Sequence, residues 1–318
     1  MLLPLVLGCS MRWSSADAEA RSTASGAVHA AGNDSAQRHS ASAPERSPSG
    51  PAASQGGRTE REPGVRLLFV GNSFTLQGPV PDLVAEFAEH CGFVNVKVDV
   101  RAVSGQSLAW HRADTSPEGA PARLREGWDV VVLQDYSTRP TEALGDPDEF
   151  KEDVTWFYER AKEANPSARV VLYETWARRV GHPIYEVAFG SPAQMQAQLR
   201  RNYLDAAERY VPRFASVAPG DRVEVAPVGD AWELQLGRNP DLRLHAPDDY
   251  HASALGQYLS AAVLFSTLFD HSASGLPSMG ISPRVARSLQ ASADAVTGHA
   301  APATPLPRPT DRPDLPAA

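Results

Sequence analysis

Residues 66–75 read Arg-Leu-Leu-Phe-Val-Gly-Asn-Ser-Phe-Thr. Arg66–Val70 is a compact apolar run between Gly64 and Gly71, and a short run bounded in this way suits a strand buried on both faces of a sheet. The polar residues Asn72, Ser73 and Thr75 follow at once, so Ser73 is expected just beyond the carboxyl end of that strand. Gly71 before it admits a sharp bend. A serine at this point is either the cap of the next helix or a hydroxyl presented at the mouth of the sheet.

Outward from this segment the chain alternates. Leu83, Val84, Phe87 and Ala88 recur at helical spacing. Residues 95–103 alternate polar and apolar side chains, as a strand near a sheet edge does. Residues 128–133, 169–173 and 223–226 read as three further strands. Helical patterns occupy residues 150–164, 194–210, 254–269 and 282–296. Strands separated by helices require crossovers, and right-handed crossovers produce a mostly parallel sheet covered on both faces. The expected fold class is therefore α/β: a three-layer α/β/α sandwich on five strands. In such sheets ligands bind beyond the carboxyl ends of the strands.

The chain has 318 residues, 27 prolines, 23 glycines and a net charge of -8, and it lacks the clustered Lys and Arg that phosphate binding needs. No nucleic-acid partner is expected. Two cysteines, Cys9 and Cys91, make neither a disulfide framework nor a cysteine zinc site. Cys91 reads as a packed thiol on the first helix. Residues 1–9 (MLLPLVLGC) resemble a lipoprotein signal peptide ending at Cys9, although no Lys or Arg precedes the apolar run. The other reading is a few apolar residues at a chain end. In residues 10–62, 31 of 53 are Ser, Ala, Gly or Pro; such a stretch buries too little surface to offset its chain entropy and is expected to be a tether. Residues 300–318 read as a Pro-rich tail. The folded domain is expected over 63–299, a usual single-domain size. No segment approaches 18 apolar residues, so no membrane-spanning helix is expected.

Four places carry chemistry. Ser73 follows the first strand. Gly105, in Ser104-Gly105-Gln106, follows the second; it is either a turn glycine or a point where a backbone N–H approaches a ligand. Gln134 follows the third, where polar residues abruptly succeed an apolar run; its amide could donate to a developing negative charge, or it lies in a plain loop. Asp248 and His251, three apart, precede an apolar helix with Ser253 at its N-cap position. That spacing lets a carboxylate hold one imidazole nitrogen while the other faces a cleft. A surface histidine, or a metal cluster of His245, Asp248, Asp249 and His251, are the competing readings. The metal reading matches no ligand-spacing rule, and no metal or cofactor is expected.

Taken in order, Gly71-Asn72-Ser73-Phe74-Thr75, Gly105, and Asp248-x-x-His251-x-Ser253-x-x-Gly256 resemble the SGNH (GDSL-like) hydrolase family, in a bacterial exported branch. The resemblance extends to Leu172-Tyr173-Glu174-Thr175-Trp176, Ala226-Pro227-Val228-Gly229 and Gly256-Gln257-Tyr258-Leu259. It implies a flavodoxin-like strand order and a serine esterase. Ser73 would be the nucleophile, His251 the general base and Asp248 its orienting acid. Ser73, Gly105 and Gln134 would line the oxyanion hole. The family places an asparagine after the third strand, where this chain has Gln134.

The resemblance and the expected export point to O-acyl esters, chiefly O-acetyl, of carbohydrates or of the cell envelope. Small-molecule or polysaccharide esters are then the partners, and the location periplasmic or cell-surface, with a membrane tether through lipidated Cys9. A lipase, arylesterase or thioesterase on the same machinery, and a non-catalytic envelope-binding protein, are the alternatives. Trp110, Tyr136, Trp176 and Trp232 lie near strand ends; Tyr136 and Trp176 are expected to stack on substrate, though packing in the core explains such residues equally. Composition and motifs do not specify an oligomeric state.

Overall fold

Five strands form one sheet: β1 (Arg66–Gly71), β2 (Lys97–Ala102), β3 (Val130–Leu133), β4 (Arg169–Tyr173) and β5 (Val223–Ala226). Their order is β2-β1-β3-β4-β5 and every neighbouring pair is parallel. The computed structural model describes residues 64–299. The expectations for residues 1–9, 10–62 and 300–318 lie outside the described residues.

α1 (Ser73–Leu76) and α2 (Val80–His90) follow β1, and α3 (Leu108–Ala113) and α4 (Ala120–Leu124) connect β2 to β3. α5 (Pro147–Ala164) connects β3 to β4. Between β4 and β5 come α6 (Ile184–Val187), α7 (Pro192–Asp205), a π-helical turn (Ala206–Tyr210) and α8 (Val211–Phe214). After β5 come α9 (Val228–Arg238), α10 (Ala254–Phe269) and α11 (Pro283–Thr297).

Strand side chains alternate between two cores. Leu67, Phe69, Val130, Val132 and Val171 face α2, α9, α10 and α11. Leu68, Val70, Val131, Leu133, Val170 and Leu172 face α3, α4, α5 and α7. This is the expected three-layer sandwich. β2 stands at the sheet edge and is only half-buried, which explains its alternating pattern. α10 is apolar nearly all round because it lies under α2, α9 and α11. Ser253 caps it by accepting the Gly256 N–H, and Ser282 caps α11.

Two helical regions depart from the sequence pattern. The helix expected over 194–210 starts at Pro192 and continues through the π turn to Phe214. α9 was not anticipated, because Pro227, Gly229 and Gly237 break its signature. Gly229 is tolerated there for a packing reason: a Cβ would collide with the Thr175 carbonyl and the Gln196 amide.

The chain direction across the sheet reverses between β1 and β3. A crevice at the carboxyl ends of these two strands is the usual ligand site of this topology. Ser73 and Gln134 stand at its two sides.

Candidate active site

The segment after β1 is held by one buried amide. Gln134 Oε1 accepts from the Asn72 N–H and from Thr75 Oγ1, both at 2.9 Å. Gln134 Nε2 donates to Asn72 Oδ1 at 3.0 Å and to the Asp135 carbonyl. Asn72 is in turn the N-cap of α1: its Oδ1 accepts the Phe74 N–H, and its carbonyl accepts those of Thr75 and Leu76. The Ser73 N–H, at the first helical position, has no intrahelical acceptor and is the one N–H of residues 73–76 not bound to Asn72. Gly71 is required for space rather than for a left-handed φ. A Cβ there would lie 2.5 Å from Thr75 Oγ1 and 2.7 Å from Gln134 Oε1.

Across the crevice, the loop before α10 folds back on itself. The Ala246 N–H donates to the His251 carbonyl and the Ser253 N–H to that of Leu244, and His245 bridges Ala252. Asp249 takes a left-handed φ of 59° at the turn. Asp248 Oδ1 accepts the N–H groups of Tyr250 (3.0 Å) and His251 (2.9 Å). Its Oδ2 lies 2.6 Å from His251 Nδ1. Partial burial raises the Asp248 carboxyl, but the hydrogen bonds from the His251 ring and the two backbone N–H groups outweigh it and hold it at about 2. A carboxylate only accepts, so Nδ1 carries a ring proton, and in the neutral ring Nε2 is then an acceptor. Ser73 Oγ lies 3.0 Å from that Nε2.

Ser73, His251 and Asp248 therefore form one hydrogen-bonded row. Gly105 sits at φ 74° in a turn closed by the Gln106 N–H on the Val103 carbonyl. Asn72 Nδ2 donates to the Gln106 carbonyl at 2.9 Å, which ties this turn to the residue before Ser73.

The expectations for Gln134 and Trp176 are corrected. Gln134 is buried and its Nε2 is committed to Asn72 and Asp135, so it scaffolds the turn and has no hydrogen left for an oxyanion. Trp176 is 1% exposed, with Phe74 stacked on one face at 4.3 Å and Trp232 on the other at 4.1 Å. A ring covered on both faces cannot stack on substrate. Tyr136 and Trp110 are exposed at 37% and 38% and remain available at the rim.

The residues of the metal reading point apart. His245 Nε2 faces the Ala177 carbonyl at 2.9 Å, Asp248 faces His251, and Asp249 pairs with Arg179 and Arg243. Among the described residues no group of three His, Cys, Asp or Glu converges to hold a metal. Cys91 ends α2, half-buried against the core, where burial pushes its thiol up.

Behind the crevice lies a buried polar layer that sequence reasoning missed. Asp135 Oδ1 accepts the Leu108 and Tyr136 N–H groups, while Oδ2 has no partner. Burial pushes its carboxyl up to about 7 despite those two donors. His111 donates from Nε2 to the Gly71 carbonyl at 2.7 Å, and burial lowers its pKa. Arg178 lies beneath Tyr250, its Cζ 3.6 Å from the ring centroid. Its signal in the sequence was only a pair of arginines after Trp176-Ala177.

No family profile matches the chain, and no curated protein matches it. Solved structures do. A Slackia heliotrinireducens protein classed with the SGNH hydrolases is 28% identical over 65% of this chain and 100% of its own, with a TM-score of 0.52. A DUF4886-family protein from Bacteroides uniformis superposes with a TM-score of 0.55 at 18% identity, over 74% of this chain and 96% of its own. The chain has the SGNH/GDSL-like hydrolase fold.

Proposed function

We propose that this hydrolase is a serine esterase in which Ser73 attacks the ester carbonyl. The observation that carries the reading is the row Ser73 Oγ–His251 Nε2–His251 Nδ1–Asp248 Oδ2, with spacings of 3.0 and 2.6 Å. A serine hydroxyl is a weak nucleophile until a neighbouring base takes its proton. His251 Nε2, free of a proton, takes it as the Oγ–carbonyl bond forms. Asp248 keeps the ring in the right tautomer and stabilises the imidazolium. The tetrahedral oxyanion is held by the Ser73 N–H and the Gly105 N–H. His251 then gives its proton to the departing alcohol, leaving an acyl-serine that water clears by the same steps reversed.

The substrates proposed are O-acyl esters, chiefly O-acetyl, of carbohydrates or of the cell envelope. The exposed rings of Trp110 and Tyr136 at the rim support a sugar-bearing alcohol, since aromatic faces pack well on sugar rings. The reading also includes export and a membrane tether at Cys9.

The test is Ser73→Ala assayed on a model acetyl ester and on acetylated sugars, together with labelling by a fluorophosphonate. Turnover and labelling are expected to vanish while the circular dichroism spectrum is unchanged. Full turnover in that variant removes Ser73 from the reaction. Faster turnover of long-chain acyl esters than of acetyl esters would redirect the assignment to a lipase.

A further inference from the structure

Arg178 is 5% exposed. A guanidinium so deeply placed is normally paired with a carboxylate, because burying an uncompensated charge is costly. Here, among the described residues, it makes no ion pair. Nη2 donates to Ser137 Oγ at 2.8 Å, and Nη1 is buried with no hydrogen-bond partner. The groups that bear on its charge are the phenols of Tyr250, Tyr136 and Tyr185. The carboxylates of the neighbouring loop are engaged elsewhere, Asp248 with His251 and Asp249 with Arg179 and Arg243.

The position of this charge relates it to the reaction. Its Cζ lies 3.6 Å from the Tyr250 ring and 5.6 Å from the Phe74 ring. Phe74 and Tyr250 are the chain neighbours of Ser73 and His251, and both rings touch His251, at 5.6 and 4.1 Å between centroids.

We propose that Arg178 is an anion subsite and that the ester carries a carboxylate, which Nη1 binds when the ester carbonyl is at Ser73. The two N–H groups of Nη1 supply charge-assisted hydrogen bonds in a water-poor setting. The carboxylate reaches them by displacing the Tyr136 phenol, which at 37% exposure is the outermost ring about the guanidinium. This names a substrate class within the esterase reading and rests on it. The carboxylate sits either on the alcohol side of the scissile bond, as in an acidic sugar, or on the acyl side, as in a dicarboxylic acyl group, and the test below distinguishes the two.

Four esters test it: 4-acetoxybenzoate (anionic alcohol side) against its methyl ester, and 4-nitrophenyl hemisuccinate (anionic acyl side) against 4-nitrophenyl acetate. The wild-type protein is expected to prefer one anionic member by about 10- to 100-fold in kcat/KM, the range of a charged hydrogen bond, and the pair in which it does so identifies the side. Arg178→Gln is expected to bring that ratio close to one, and Arg178→Lys to restore part of it. A role confined to holding Tyr250 would lower both members of a pair equally and leave the ratio unchanged, which overturns the proposal. If Arg178→Gln does not fold, the wild-type ratio still decides, since no preference in either pair refutes the subsite. Binding of 4-acetamidobenzoate against its methyl ester, followed by thermal shift in Ser73→Ala, separates the two readings. Preference for the acid there supports the subsite even if turnover has shown Ser73 not to be the nucleophile, and absence of preference counts against the subsite alone.

Discussion

Gln134 and Asn72 exchange hydrogen bonds in both directions across the crevice, through Oε1 to the Asn72 N–H at 2.9 Å and through Nε2 to Asn72 Oδ1 at 3.0 Å. One side chain after β3 thus fixes the residue that caps α1 and precedes Ser73. Gln134→Ala leaves the buried Asn72 N–H and the buried Thr75 hydroxyl without their acceptor, which costs about 1–3 kcal/mol. The expected result is a lower urea midpoint accompanied by a fall in kcat. A direct oxyanion donor would behave differently, losing roughly 10²–10³ in kcat at unchanged stability.

The two aspartates of the base loop have separate partners. Asp248 holds the His251 ring, and Asp249 holds Arg179 and Arg243. Asp248→Asn is expected to lower kcat by about 10³–10⁴, because an amide in that place favours the wrong imidazole tautomer. Asp249→Asn keeps a residue that tolerates the left-handed φ and is expected to lose far less. A larger loss in Asp249→Asn would reverse the assignment of the orienting acid.

Asp135 gives the protein a pH-dependent stability of unusual sign. Its folded value of about 7 lies above the ordinary 3.8. Below about pH 4 both folded and unfolded states hold the proton and nothing changes. Between about pH 4 and 7 the unfolded state releases it and the folded state does not, so stability falls as pH rises and then levels off. Asp135→Asn removes this slope while retaining an acceptor for the Leu108 and Tyr136 N–H groups. The stability difference between variant and wild type is expected to move in favour of the variant over that window, by at most about 4 kcal/mol. Denaturant melts at pH 4.5 and 7.5 measure it, and a difference that does not change with pH would place the ionised carboxylate in the folded state.

Trp176 is stacked between Phe74 and Trp232 and donates from Nε1 to the Tyr250 carbonyl at 3.2 Å. It therefore braces both the residue after Ser73 and the residue before His251. Trp176→Ala is expected to cost about 3–5 kcal/mol in unfolding free energy. Under conditions where the variant is folded, kcat on an acetyl ester should fall as well, with calorimetry and steady-state rates as the two measurements.

The sheet was legible because strands buried on both faces are nearly continuous apolar runs, and Arg66–Gly71, Val130–Leu133 and Arg169–Tyr173 are of that kind. α3, α4 and α6 were not, since four to six residues do not establish a helical period. At the site, residues 73, 248 and 251 were expected together and lie in one row. The roles of Gln134 and Trp176 were misread for a common reason. An amide or an indole beside a strand end looks the same in sequence whether it faces solvent or the interior, and its direction is decided by Asn72, Phe74 and Trp232, which are remote in the chain. Arg178 went unnoticed on the same ground, because its isolation depends on Ser137 and Tyr250.

The parallel indoles of Trp176 and Trp232, 4.1 Å apart and inclined by 4°, have an optical consequence. Two chromophores at that separation share their excitation, so the near-ultraviolet circular dichroism of the protein should carry a coupled tryptophan band. That band depends on the same ring that touches Phe74, and it therefore offers a label-free signal of whether the ground beneath the serine is intact, in the wild type and in every variant that keeps both indoles.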